Sequence, residues 1–171
     1  MAEAFSIQID DTEVRAALQR AQAATGNLSP VMKAIGERMV RSTEERFETE
    51  TAPDGTRWEP LAASSLGSGF KKKKTKQDGT LTAAFSRYLA SRQILTRSGE
   101  LRGSIYSRPG SDQVSIGTGK VYAAIHQLGG KAGRGRKVAI PARPFLGVTD
   151  ADRVEILELL REHMEMALND G

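Results

Sequence analysis

Apolar and polar residues alternate at the start of the chain, with Phe5, Ile7 and Ile9 set between Ser6, Gln8 and Asp10, which predicts a short half-buried strand. Asp10 or Asp11 then caps a helix with Val14, Ala17, Leu18 and Ala21 on one face and Gly26-Asn27 at its end. Ser29-Pro30 opens a second helix, Ser as cap and Pro at the first helical position, running to about Glu50. Val31, Ile35, Met39 and Phe47 form its apolar stripe; Lys33, Glu37, Arg41, Glu44, Glu45 and Glu48 read as a solvated face. Pro53-Asp54-Gly55 is a turn signal that leads to Trp58, and Leu61 to Leu66 read as a short helix.

Further on, Leu81, Phe85 and Leu89 are in helical phase within Leu81 to Ser91, and Ser98 caps a short helix around Gly99 to Gly103. Ser104 to Arg108 and Gln113 to Gly117 read as strands joined by a Pro109-Gly110-Ser111-Asp112 hairpin. Val121 to Leu128 is an apolar helix, Gly129 to Lys137 a basic loop, and Val138 to Ile140 a third strand of the same sheet. Thr149-Asp150 opens a last helix to about Asn169, with Val154, Leu157, Leu160, Met164 and Leu168 facing the sheet. The expected fold is α+β: a small antiparallel sheet packed by helices, with a long C-terminal helix and extended basic loops.

Length adds one bound, since 171 residues fit a single domain over 1–171. Only 5% of residues are aromatic, so the core must be mainly aliphatic. With no cysteine, disulfides and thiolate metal sites are excluded. No apolar run approaches the ~20 residues that span a bilayer, and the acidic start lacks the form of a signal peptide. These features predict a soluble protein made in the cytoplasm. The net charge of +4 permits an acidic or nucleic-acid partner without requiring one.

The positive charge is concentrated in two places. Gly67 to Gly79 holds Lys71, Lys72, Lys73, Lys74 and Lys76, a self-repelling run that predicts a mobile insert. Gly129 to Lys137 holds Lys131, Arg134, Arg136 and Lys137. Each segment reads either as a solvated loop or as an electrostatic contact with DNA or an acidic protein. Trp58, the only tryptophan, reads either as a core anchor of its turn or as an interface anchor.

Catalytic patterns fail. Gly117-Thr118-Gly119-Lys120 lacks the first glycine of a phosphate loop, where Val114 stands, and the Ser or Thr after the lysine, where Val121 stands. The two histidines are far apart in sequence; His126 reads as a hydrogen-bonded structural residue, and His163 as a solvent or interface residue. No serine sits in a nucleophile elbow. No enzyme activity, cofactor or metal is expected.

Four blocks in order, PDGTRWEPL (Pro53 to Leu61), ILTRSGELRGSI (Ile94 to Ile105), VSIGTGKVYAAIHQLGG (Val114 to Gly130) and IPARPFLGVTDAD (Ile140 to Asp152), carry a resemblance. From about Phe47 onward the chain resembles the phage virion morphogenesis family, the tail-completion and neck proteins of tailed bacteriophages. The resemblance implies a structural virion protein: a ring-forming subunit, hexamer favoured, at the neck or top of the tail. It implies adjacent neck, connector and tail-tube proteins as partners, and non-specific contact with genomic DNA in the lumen. By the same resemblance, Arg97 and Gly99 to Leu101 shape the helix before the sheet. Tyr122, His126 and Gly129-Gly130 set the corner from which the basic loop leaves, and Pro141 to Leu146 place the last helix. A free nucleic-acid-binding protein using the lysine-rich insert is the alternative.

Overall fold

The computed structural model of the protein describes residues 11–61, 73–90, 92–96 and 98–169. The expected strand at Phe5 to Ile9 and helix at Leu61 to Leu66 lie, apart from Leu61, outside the described residues, as do Lys71, Lys72 and Arg97. The fold is α+β, and the described residues form five α-helices and two small antiparallel sheets. No described helix is long and apolar enough to cross a membrane.

Helix α1 (Thr12–Thr25) starts where Asp11 accepts hydrogen bonds from the backbone N–H of Glu13 and Val14, and stops at Gly26, whose φ of 67° suits a residue without a side chain. Helix α2 (Ser29–Thr49) has Pro30 in its first turn, but Ser29 is not its cap. That correction has a local cause: the Asn27 Oδ1 accepts from Ser29 N, so the asparagine side chain closes the turn instead. Val31, Ile35, Met39 and Phe47 are buried as their spacing predicts.

Helix α3 (Ala83–Ala90) starts two residues later than expected. Leu81 lies before it and bridges Thr75, while Phe85 supplies the buried contact. Ser98 accepts from Glu100 N ahead of a single 3-10 turn over Arg102–Ser104. Strands β1 (Ile105–Pro109) and β2 (Val114–Thr118) form the expected hairpin one residue further on, with Ile105 opposite Thr118. The hairpin lies on α2 at Gly36, where an added Cβ would meet Ser107 Cβ at 3.0 Å. Helix α4 (Ala123–Leu128) follows.

Two expectations about the later chain are overturned. Strand β4 (Val138–Ile140) is not a third strand of that sheet; it pairs with β3 (Gly130–Ala132) in a separate hairpin. Gly129 turns the chain so sharply that a Cβ there would lie 2.9 Å from Ala142 N, which keeps β3 beside the strand that follows it. Helix α5 (Asp150–Asn169) packs on α1 and α2, not on the sheet. It buries Asp152, Ile156 and Leu160; Leu157 and Met164 are half-buried, and Val154 and Leu168 face outward.

The described residues form two core clusters. One joins α1, the first half of α2 and α5. The other gathers Phe47, Trp58, Ile94, Leu101, Ile105, Ala123, Phe145 and Leu146 around the end of α2. Leu160 is fully buried in the first, so Leu160→Ala should destabilise by about 2–5 kcal/mol. Val154→Ala, on the exposed face, should stay within about 0.5 kcal/mol. Urea melts of the two variants test this assignment; equal losses would reverse it.

Candidate assembly surface

The chemistry of the second cluster lies in polar side chains that hold an irregular backbone. Residues Arg143 to Leu146 carry no regular structure, yet side chains from three distant segments satisfy their backbone groups. Gln127 is buried; its Oε1 accepts from Phe145 N and Leu146 N at 3.0 Å each, and its Nε2 donates to Leu146 O at 2.9 Å. Trp58 Nε1 donates to Pro144 O at 2.9 Å, and Arg46 Nη1 to Phe145 O at 2.9 Å. Arg143 N donates to His126 O, while its guanidinium donates to Glu59 O and Pro60 O, tying this corner to the Trp58 turn. Buried amides need such partners, and here side chains supply what a strand would. Gly147 completes the corner: a Cβ there would meet Pro53 Cγ at 2.4 Å.

Trp58 is therefore a core anchor. It is 4% exposed and packs edge-on to Phe47, with ring centroids 5.5 Å apart, so it presents no interface surface. His126 also departs from expectation: its Nδ1 is buried with no hydrogen-bond partner among the described residues, and its ring lies edge-on to Tyr122. Burial, then the positive charge of Arg143, hold its pKa below the usual histidine range. His163 is half-buried and makes a hydrogen bond with the Asn27 carbonyl, fastening α5 to the α1–α2 turn.

The corner is joined to α5 by a buried ion pair that periodicity did not reveal. Arg46 Nη2 lies 2.7 Å from Asp152 Oδ2; the side chains are 4% and 0% exposed. Ser42 Oγ and Thr149 N also donate to that oxygen, and Asp152 N donates to Thr149 Oγ1. Thr149 and Asp152 thus form a capping box at the start of α5, a signal present in the sequence as Thr-x-x-Asp. Burial pushes the Asp152 pKa up, but the hydrogen bonds of Thr149 and Ser42 and the Arg46 charge outweigh it and hold the carboxyl below its usual range.

Onto this frame are mounted the predicted basic residues. Of the lysine-rich insert, Lys73 and Lys76 are exposed and Lys74 is half-buried, in a tight ribbon closed by the Thr75–Leu81 bridge and a turn at Asp78-Gly79. This described part is folded back on itself as a ribbon, and none of its residues belongs to either core cluster. Lys131, Arg134, Arg136 and Lys137 are brought together by the β3–β4 hairpin and a 3-10 turn at Arg134–Arg136. All four are exposed, and among the described residues none makes an ion pair. Lys120 differs, since Glu100 holds it at 2.8 Å.

The same region exposes apolar surface. Val121 is 75%, Leu128 67% and Val138 51% exposed; the apolar run Val121 to Leu128 turns both of its end residues outward, buries Ala123 and Gln127 and half-buries Ile125. Charge is divided along the chain: residues 113–149 hold six Lys or Arg and no Asp or Glu, while α5 holds six acids and two arginines. Exposed apolar residues amid unpaired cations have the chemistry of a protein interface.

The sequence model of the phage virion morphogenesis family matches residues 9–165. The chain is 35% identical over 165 residues to the Mu-like prophage FluMu G protein 2 of Haemophilus influenzae, covering 96% of this chain and 99% of that protein. It is 30% identical to the putative capsid assembly protein G of Escherichia phage Mu, with 96% of each covered. It is 28% identical over 134 residues to tail completion protein S of Escherichia phage P2, covering 77% of this chain and 80% of that one. No solved structure matches.

Proposed function

Because the chain belongs to the phage virion morphogenesis family, and is therefore a phage structural protein, we propose that it is a ring-forming subunit that completes the tail at the head–tail junction. The observation that carries this reading is the match over residues 9–165, which includes both core clusters and the basic hairpin, together with the tail-completion name of the P2 relative. A hexamer is the natural copy number where such a ring meets a tail. Its neighbours are the adjacent neck, connector and tail-tube proteins. A heterologous contact between copies closes into a ring when its rotation closes, and it needs two different faces on each subunit. The exposed cations supply a second role, non-specific contact with genomic DNA in the lumen, because phosphate attracts such groups without sequence reading.

Silencing this gene during phage growth tests the reading. The expected result is separate filled heads and unjoined tails, with complete particles restored by the intact gene. A tag on the chain should appear at the neck of imaged particles. Normal infectious particles without the protein would overturn the assignment.

A further inference from the structure

Two of the patches that the fold leaves exposed lie toward opposite ends of α2. Helix α5 runs antiparallel to α2: Asp152 meets Arg46 near the end of α2, and His163 meets Asn27 just before its start. The second half of α5 therefore lies at one end of a 21-residue helix, and Arg46 holds the Phe145 corner at the other. At a rise of 1.5 Å per residue, the ends are about 30 Å apart.

The two patches carry opposite charge. At the corner end, Leu128 and Val138 are exposed beside Lys131, Arg134, Arg136 and Lys137. At the α5 end, Met166 and Leu168 are exposed beside Glu162 and Glu165, and Glu158 lies one turn earlier on the same side of the helix. Arg161 pairs with Glu158 and Glu165, neutralising one charge and leaving the patch acidic. The α4–β3–β4 patch thus joins apolar side chains to positive charge, and the outward face of late α5 joins them to negative charge. Phosphate alone would leave Leu128 and Val138 uncovered, whereas a protein face of opposite charge with its own apolar residues would cover them.

We propose that the corner end of one copy, α4 with the β3–β4 hairpin, docks on the outward face of the second half of α5 in the next copy. The inference rests on the ring reading above and names the two faces that join. The contact is head-to-tail, so it repeats from copy to copy and leaves no unmatched face in a closed ring. Opposite charge guides encounter and register, and the apolar residues form the dry centre.

A charge swap tests it on the full chain, read by sedimentation and native mass spectrometry. The basic face is reversed by Lys131→Glu, Arg134→Glu, Arg136→Glu and Lys137→Glu; the acidic face by Glu158→Lys, Glu162→Lys and Glu165→Lys. Each reversed protein alone should associate at least about a hundredfold more weakly than the wild type, since like charges then face each other. Mixing the two should restore association, because every contact in an alternating ring is then between opposite charges. Melting temperatures guard against misfolding, and Leu128→Asp, a single exposed change, should weaken association without lowering the melt. Wild-type association that survives both reversals overturns these faces and leaves the ring reading standing. A wild type that stays monomeric, alone and on purified tails, overturns the ring reading itself. Hairpin reversal that abolishes salt-sensitive DNA binding but leaves association unchanged assigns that face to DNA and overturns the docking.

Discussion

Asp152→Asn should destabilise the protein by about 3–5 kcal/mol, the largest loss expected from any single polar change. The reason is the group left behind: Arg46 stays charged at every working pH and would sit buried without its carboxylate. Arg46→Met added to Asp152→Asn should recover part of the loss, because the stranded charge is then gone. The pH dependence has a definite sign. The folded Asp152 carboxyl titrates below its usual value, so its contribution is fully present above pH ~4 and is lost as pH falls through the lowered folded pKa. Acid melts of Asp152→Asn should accordingly fall less steeply than those of the wild type. Some acid sensitivity will remain, because the surface carboxylates of Asp11, Asp54 and Asp78 are also held low by hydrogen bonds. A loss under about 1 kcal/mol for Asp152→Asn would mean that the pair is not the lock between α2 and α5.

The second large effect belongs to Phe145. Its ring is fully buried 5.3 Å from Phe47, at the centre of the cluster that holds the corner. Phe145→Ala should destabilise by about 3–5 kcal/mol through lost burial and the cavity left behind. For a chain of this length that is a fall in Tm of roughly 6–20 °C. Trp58 emission should shift to the red as water reaches the Phe47 side of its ring. An unchanged Tm and emission would show that the corner is held by its hydrogen bonds alone.

Sequence reading succeeded where the signal was local. Asp11 with Gly26 bounds α1, Pro30 marks the first turn of α2, and the Pro109-Gly110 turn set the first hairpin to within one residue. It failed where a choice depended on distant neighbours. Helix α5 carries two overlapping apolar stripes, one through Ile156 and Leu160 and one through Val154, Leu157 and Leu168. Both have helical period, and only the packing of α1 and α2 decides which is covered. Asp152 sits on the covered side, where a charged residue counts against burial until its partner 106 residues earlier is known. Gln127 and Arg143 are similar: they are polar letters in the sequence, yet Gln127 satisfies the backbone of the corner and Arg143 ties it to the carbonyls of Glu59 and Pro60. The basic hairpin was legible as exposed charge, but its own β3–β4 pairing was hidden by two strands of three residues, too short for any alternation to register.

The corner also sets a schedule for making the protein. Trp58 is separated from its partner Pro144 by 86 residues, and Arg46 from Phe145 by 99. At ~5–20 residues per second, a ribosome takes roughly 4–17 seconds to travel from Trp58 to Pro144. For that time Phe47 and Trp58 have no Phe145 to close over them, and the nascent chain displays its aromatic centre to the cell. A second copy made nearby in that interval meets the same uncovered rings, so the separation in sequence that builds the corner also sets how long the unfinished chain is open to association.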